Sequence, residues 1–388
     1  MQIRSRTCPI CGREDKKIVF EQNFAYIKGV TFLNKYNVVC CNICGFIFAD
    51  GIPEQYEFDK YYSDSSKYEI VNEDISLEEE KRYDDTINFC NKVLSKENRK
   101  LEEMEIVDVG CATGQFLRYM QRKNIGKLFG IDPSKYCIDY LREKNINGIQ
   151  STISGITDYR KYDFVRLNSV IEHIVDINSS IEQLKKLLKS TSYIYLSVPN
   201  VSEFYKTNNS PYQEFSTEHI NYFSVYSLEK LMCKHGFKMC AYKINTNDKY
   251  SEIEAIFKLG EGVAKKDTRD EDLCNLLKYI KKNADIESKI NMKLQPFIES
   301  KEPIIVWGVG TQTLRQLKVG NLGKCNIELF VDSNIHYQNN QYNGIEIISP
   351  EKIISNSRIL ISSYFSQSAI ENYAREKLKL SNKFILLY

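Results

Sequence analysis

At 388 residues the chain is longer than one hydrophobic core usually holds, roughly 250–300 residues, so two or three domains are expected. Its 42% hydrophobic and 27% charged content is that of a soluble globular protein rather than a disordered or fibrous one. The 53 basic and 51 acidic residues leave a net charge of +2, which excludes a long-range pull toward nucleic acid or anionic lipid.

The N-terminal stretch MQIRSRTCPICGR is too polar for a signal peptide. The longest apolar runs, such as PIIVWGVG, fall far short of the ~20 residues a membrane helix needs. A cytoplasmic protein with no membrane partner is expected. In that setting 12 cysteines argue against a disulfide scaffold. Cys90, Cys137, Cys233, Cys240, Cys274 and Cys325 are scattered, but four others are paired.

CPICG places Cys8 and Cys11, and CNICG places Cys41 and Cys44. Each pair is C-x-x-C followed by glycine, a spacing that lets two thiolates grip one metal over a tight turn. Together they supply a closed tetrahedral Zn²⁺ site, which is structural rather than catalytic. Cys40 competes for the third position, although Cys41 keeps the matching spacing. The 29 residues between the knuckles leave room for a strand or hairpin in YIKGVTFLNKYNVV. The run FIFADGIPEQYEFDKYYSDSSKYE that follows is aromatic, acidic and turn-rich, and reads as an irregular connection. A zinc-binding module over 1–60 is expected.

From about residue 78 the pattern changes. EEEKRYDDTINFCNKVLS has helical spacing, IVDVG is a short buried strand, and QFLRYMQRK is an amphipathic helix after a glycine loop from Gly110 to Gly114. KLFGID is a second strand ending in Asp132, 18 residues past Gly114. Glycines let the backbone approach a ligand, and an acid at the tip of the next strand binds ribose hydroxyls. The loop is neither G-x-G-x-x-G nor a nucleoside triphosphate loop. YDFVRLNSVIEHIVDI, SIEQLKKLLKSTSYIYLSVPN, SLEKLMCKHGFKM and EAIFKL continue the alternation, so 75–258 is expected to be a doubly wound sheet with its ligand at the carboxyl ends of the strands. STEHINYFS, residues 216–224, falls after the fifth strand, at that edge. EGVAKKDTRDEDLCNLLKYIKKNADIESKI is a helical connector with Leu273, Leu276, Leu277 and Ile280 on one face. A second α/β unit closes the chain, so 262–388 is expected to hold the connector and a Rossmann-like domain. It has a Gly308-x-Gly310 turn, Thr313 where a third glycine would stand, and Asp332 22 residues past Gly310.

The run D-V-G-C-A-T-G resembles motif I of class I S-adenosylmethionine-dependent methyltransferases, in which the glycine loop holds the methionine part of the donor and the acid after the second strand holds its ribose. The resemblance implies donor contacts from Asp108, Gly110, Cys111, Ala112, Gly114, Asp132, Pro133 and Asn168. Zinc module, methyltransferase domain and Rossmann-like tail, in that order, resemble the three-domain sugar methyltransferases, best known as C-methyltransferases of nucleotide-linked deoxysugars. That resemblance covers nearly the whole chain. It implies His219 of Glu218-His219 as the catalytic base, His173 of SVIEH as a second histidine, and Tyr61 or Tyr62 of KYYSDSS as a further member, with Tyr62 taken into the catalytic set. It also implies a nucleotide-linked sugar or related precursor of surface polysaccharide or secondary metabolism as substrate. Ser216 stands where the C-methyltransferases usually carry tyrosine, which leaves carbon, oxygen and nitrogen all open as the methylated atom. An RNA methyltransferase is the rival reading, against which the balanced charge counts, and a nicotinamide-dependent tail is a third.

Overall fold

The computed structural model describes residues 3–64, 74–157, 159–264 and 266–388. Three sheets organise the chain. The first begins as an antiparallel hairpin, β1 (Lys16–Asn23) and β2 (Lys35–Cys41), followed by β3 (Ile47–Asp50). Side chains alternate across a strand, and β2 uses both faces. Val38 and Cys40 enter one core, while Val39 and Cys41 enter another beside Cys8 and Cys44. Of the adjacent cysteines it is Cys41 whose sulfur joins those of Cys8, Cys11 and Cys44, while the Cys40 Sγ lies 3.6 Å from the Gly45 carbonyl.

The irregular connection expected after the knuckles is instead strand β3 and a helix, α1 (Gln55–Asp64). The helix forms because Phe58, Tyr61 and Tyr62, at i, i+3 and i+4, make an apolar stripe, with Phe58 fully buried. Gly51 and Pro53 just ahead of it disguised that period as turn chemistry.

The second sheet runs through α2 (Leu77–Leu94), β4 (Glu105–Val109), α3 (Gln115–Arg122), β5 (Lys127–Asp132), α4 (Lys135–Glu143), β6 (Asn147–Gln150), β7 (Tyr162–Asn168), α5 (Ile177–Lys185) and β8 (Leu188–Pro199). The short strand β9 (Asn221–Tyr222), α6 (Val225–Lys234), β10 (Phe237–Thr246) and β11 (Ser251–Leu259) follow. Helix α2 starts at a capping box: the Ser76 hydroxyl accepts from the Glu79 amide, and the Glu79 carboxylate accepts from the Ser76 amide at 2.9 Å. The strand order is β10-β11-β8-β7-β4-β5-β6, with β4 to β8 parallel and β11 antiparallel to β8. Order reverses between β4 and β7, so the loop after β4 opens at the switch point where such sheets bind ligands. Strand β10 escaped the sequence reading because it is an edge strand with many solvent-facing residues, which blurs the hydrophobic run.

Strand β9 does not join that sheet. It pairs antiparallel with β3, Ile47 opposite Tyr222 and Phe48 opposite Asn221, and completes the N-terminal sheet in the order β1-β2-β3-β9. Arg6 secures the junction. Its buried guanidinium donates to the carbonyls of Ala49 (3.0 Å), Ile220 (3.2 Å) and Val175 (3.1 Å) and to Asn221 Oδ1 (3.0 Å).

Helix α7 (Arg269–Ser300) is the connector, and its Leu276 is buried. Leu273 and Ile280 flank it in the core, whereas Leu277, expected on the same face, is 48% exposed. The last sheet comprises β12 (Ile304–Trp307), α8 (Thr311–Lys318), β13 (Ile327–Val331), β14 (Gln341–Tyr342), β15 (Ile345–Ile348), β16 (Arg358–Ile361), α9 (Gln367–Glu376) and β17 (Phe384–Leu386). Its order is β14-β15-β13-β12-β16-β17, parallel except for β14. Among the described residues no helix is long and apolar enough to cross a membrane.

Candidate active site

A cavity of about 540 Å³ opens at the carboxyl ends of β4, β5 and β7. Of the residues expected to hold the donor, Asp108, Gly110, Cys111, Ala112, Asp132, Pro133 and Asn168 line it. Gly110 has φ +74°, and a Cβ there would come within 2.6 Å of Val170 Cγ2, so the position admits glycine alone. Gly114 does not line the cavity. A Cβ on it would meet Leu141 Cδ1 at 2.2 Å, so this glycine serves the close approach of α3 to α4.

Asp132 sits at the lip, its Oδ2 accepting from the Ala112 amide (2.8 Å) and its Oδ1 from the Ser134 amide (2.9 Å). The glycine loop and the acid therefore fix one another. Asp108 is committed differently. Arg166 Nη1 reaches both of its carboxylate oxygens at 2.9 Å, and the guanidinium lies 4.0 Å from the centre of the Phe116 ring. Burial disfavours charge on Arg166, but Asp108 more than compensates and holds it protonated. The cavity floor is thus a buried ion pair, and its Arg166 half was not among the expected residues although it lies within the strand YDFVRLN.

His173 and Tyr62 form the far wall. The Tyr62 hydroxyl lies 3.0 Å from His173 Nδ1, and the Glu218 carbonyl lies 3.2 Å from the same nitrogen. Nδ1 can thus donate to the Glu218 carbonyl in one tautomer or accept from the Tyr62 hydroxyl in the other. Beyond His173 the His219 ring packs edge-on, with centroids 4.9 Å apart. The structure thus brings His173, His219 and Tyr62 together, on the acceptor side of the cavity.

Glu218 is engaged by a residue far away in the sequence. Its carboxylate accepts from the Tyr61 hydroxyl at 3.0 Å, and Tyr61 stacks on Phe32 at 4.3 Å. The carboxyl within the histidine cluster is Glu172, which sequence reasoning missed although it directly precedes His173. Glu172 is 1% exposed, with neither oxygen hydrogen-bonded and Oε1 3.9 Å from His173 Nε2. Burial without a donor pushes it up to about 8, so it is largely protonated at neutral pH. Glu172, His173 and His219 also place ligand atoms within 4.8 Å of one another, close enough to share a cation.

Ser216 has a local task. Its hydroxyl accepts from the amides of Glu218 (3.2 Å) and His219 (3.1 Å), a turn that presents His219, and the Tyr222 hydroxyl donates to the His219 carbonyl at 3.0 Å. The four knuckle cysteines also converge. Cys8 Sγ is 3.4 Å from Cys44 Sγ, Cys11 Sγ is 3.5 Å from Cys41 Sγ, and all four lie within 4.8 Å of one another. Zn–S bonds of about 2.3 Å place tetrahedral sulfurs roughly 3.8 Å apart, so the donor set fits zinc.

Residues 78–242 match the family described as a methyltransferase domain. The middle of this chain is a class I S-adenosylmethionine-dependent methyltransferase domain. Residues 300–386 match a second family, described as C2185-like, N-terminal. Among curated proteins, the methyltransferase domain is similar to the mitochondrial ubiquinone biosynthesis O-methyltransferase of Dictyostelium discoideum, 27% identical over 135 residues, which covers 30% of this chain and 42% of that protein. It is also similar to the ubiquinone biosynthesis O-methyltransferase of Rickettsia akari (strain Hartford), 31% identical over 118 residues, 29% of this chain and 47% of that protein. The chain thus spans less than half the length of these relatives. Among solved structures, magnesium protoporphyrin IX methyltransferase from Synechocystis PCC 6803 is 13% identical, covering 53% of this chain and 98% of that one at a TM-score of 0.38.

Proposed function

We propose that the whole chain transfers a methyl group to a small carbohydrate acceptor, a nucleotide-linked sugar or related precursor, with His219 as general base. The observation that carries this reading is the histidine pair: His173 lines the donor cavity, and His219 stands 4.9 Å behind it. When bound, S-adenosylmethionine supplies a methyl group activated by a sulfonium. The chain's own residues orient and deprotonate. The glycine loop and Asp132 hold the donor at the cavity lip, Arg166 and Asp108 supply a fixed pair of charges beneath it, and His219 takes the acceptor proton as neutral imidazole. Tyr61 holds Glu218, and Tyr62 holds His173, so each tyrosine fixes one member of the acceptor wall. The names of the curated relatives and the turn-forming role of Ser216 favour oxygen over carbon as the methylated atom. The four knuckle cysteines hold a structural Zn²⁺.

Mass spectrometry of candidate nucleotide-sugars incubated with enzyme and donor tests the acceptor class. His219→Ala tests the base: turnover falls about 10²–10⁴-fold while donor binding is unchanged. Near-native turnover in that variant overturns the assignment.

A further inference from the structure

The tail repeats, with a loop two residues shorter, the glycine turn and carboxylate of the middle domain. After β12 the chain turns through Gly308 (φ +99°), Val309 and Gly310 into α8, as it turns from β4 through the Gly110 loop into α3. Asp332 follows β13 as Asp132 ends β5. Its Oδ2 accepts from the Val309 amide (2.7 Å) and its Oδ1 from the Asn334 amide (2.8 Å), against 2.8 and 2.9 Å for the pair at Asp132. A carboxylate offers about four lone-pair sites, so two on Asp332 remain for a ligand.

These groups line a cavity of about 410 Å³ at the carboxyl ends of β12, β13 and β16. Helix α8 begins at Gly310 with no side-chain cap, so its first amides open into that space. Nothing lies within 4 Å of where a Gly310 Cβ would be. A second observation points the same way. Gln312, 7% exposed, lines the cavity, and its Nε2 meets no acceptor at normal hydrogen-bond geometry, although the Tyr388 hydroxyl lies close enough to interact with it. A buried amide donor without an acceptor costs about 1–3 kcal/mol, which a ligand oxygen recovers.

We propose that this cavity binds a ribonucleotide, with the vicinal diol of the ribose on Asp332 and the phosphates over the N-terminus of α8. No lysine or arginine is among the described lining residues, so the helix amides are the main counter-charge for phosphate and binding is modest in strength. The cavity is walled on one side by Ser210 and Gln213, on the stretch leading to Glu218. Half-buried Tyr337 lies within electrostatic reach of both Asp332 and Glu218. A sugar carried on the diphosphate would extend along that wall toward His219. That link rests on the methyl-transfer reading, whereas the binding itself does not.

The test is calorimetric titration of the full-length protein with uridine diphosphate, adenosine diphosphate, NAD and thymidine diphosphate, with the donor cavity saturated by S-adenosylhomocysteine. A ribonucleotide binds, and thymidine diphosphate, which lacks the 2′-hydroxyl, binds at least tenfold more weakly than uridine diphosphate. Asp332→Asn brings the two to equal, weak affinity. Gly310→Ala, whose methyl projects into open space, abolishes binding without lowering the melting temperature, and so separates loss of the site from loss of the fold. S-adenosylhomocysteine affinity is unchanged in both variants. Tight NAD binding with no uridine diphosphate binding would support the site and sever it from a sugar acceptor. No binding of any of the four at millimolar concentration, or native affinity in Gly310→Ala, overturns the proposal.

Discussion

The two sides of the active site are assembled in opposite ways. The side expected to hold the donor comes mainly from residues 108–170, consecutive strands and loops of one sheet, with Arg82 and Tyr83 of α2. The acceptor side is gathered from afar: Tyr61 and Tyr62 on α1, Glu172 and His173 after β7, and Glu218 and His219 on the segment that enters the N-terminal sheet. A donor site built from local contacts survives damage elsewhere. An acceptor site built from long-range contacts depends on the cysteine-knuckle module, because β3 pairs with β9, and His219 lies two residues before β9.

The sharpest way to break that contrast is to remove the metal. A structural zinc site contributes on the order of 10 kcal/mol to its module. Cys41→Ser should therefore lose the bound zinc, measured by elemental analysis, and all turnover, while S-adenosylhomocysteine still binds within about twofold of the native protein. Loss of donor binding as well would show that the two sides are not separable. The converse cut is Asp132→Ala, which removes charge-assisted hydrogen bonds worth roughly 1.5–3 kcal/mol each. Donor affinity should fall about 10–100-fold by calorimetry, with zinc content unchanged.

Glu172 offers a smaller and more specific probe. Its folded-state value of about 8 lies above the ordinary 4.5, so the folded chain binds more protons than the unfolded one between those limits. The stability this carboxyl contributes is complete below about pH 4.5 and is lost as pH rises toward 8, at up to about 1.4 kcal/mol per pH unit. Glu172→Gln should flatten the fall in melting temperature over that window. An unchanged pH profile would mean that the carboxyl has a partner or a different ionisation. The smallest effect belongs to Ser216→Ala, which strips the acceptor from two amides. It should cost about 1 kcal/mol and lower turnover a few-fold without touching donor affinity.

The same contrast explains what could be read in advance. The glycine loop, Asp132 and the alternation of strands and helices are local patterns, and seven of the eight residues expected to hold the donor line one cavity. Gly114 packs against Leu141, and a glycine required for packing looks the same in sequence as one required by a ligand. The cysteine knuckles were legible because two short spacings repeat. Three features were not: that Glu218 accepts from Tyr61, that Glu172 is an acid within the histidine cluster, and that Asn221 and Tyr222 pair with Phe48 and Ile47. Each depends on contacts between residues that no periodicity connects. Helix α1 failed for another reason, since only three residues carry its apolar stripe and turn-forming residues precede it.

The closure of the N-terminal sheet by β9 also sets an order of assembly during synthesis. Residues Ile47 to Asp50 leave the ribosome roughly 170 residues before Asn221 and Tyr222 do. At about 5–20 residues per second, β3 waits on the order of ten seconds or more with one side unpaired. Arg6 waits with it, its acceptors at Val175, Ile220 and Asn221 not yet made. An unpaired strand edge invites pairing with other chains. The nascent protein is thus most vulnerable to misassociation at its beginning, and the segment that bears His219 is also the one that ends that exposure.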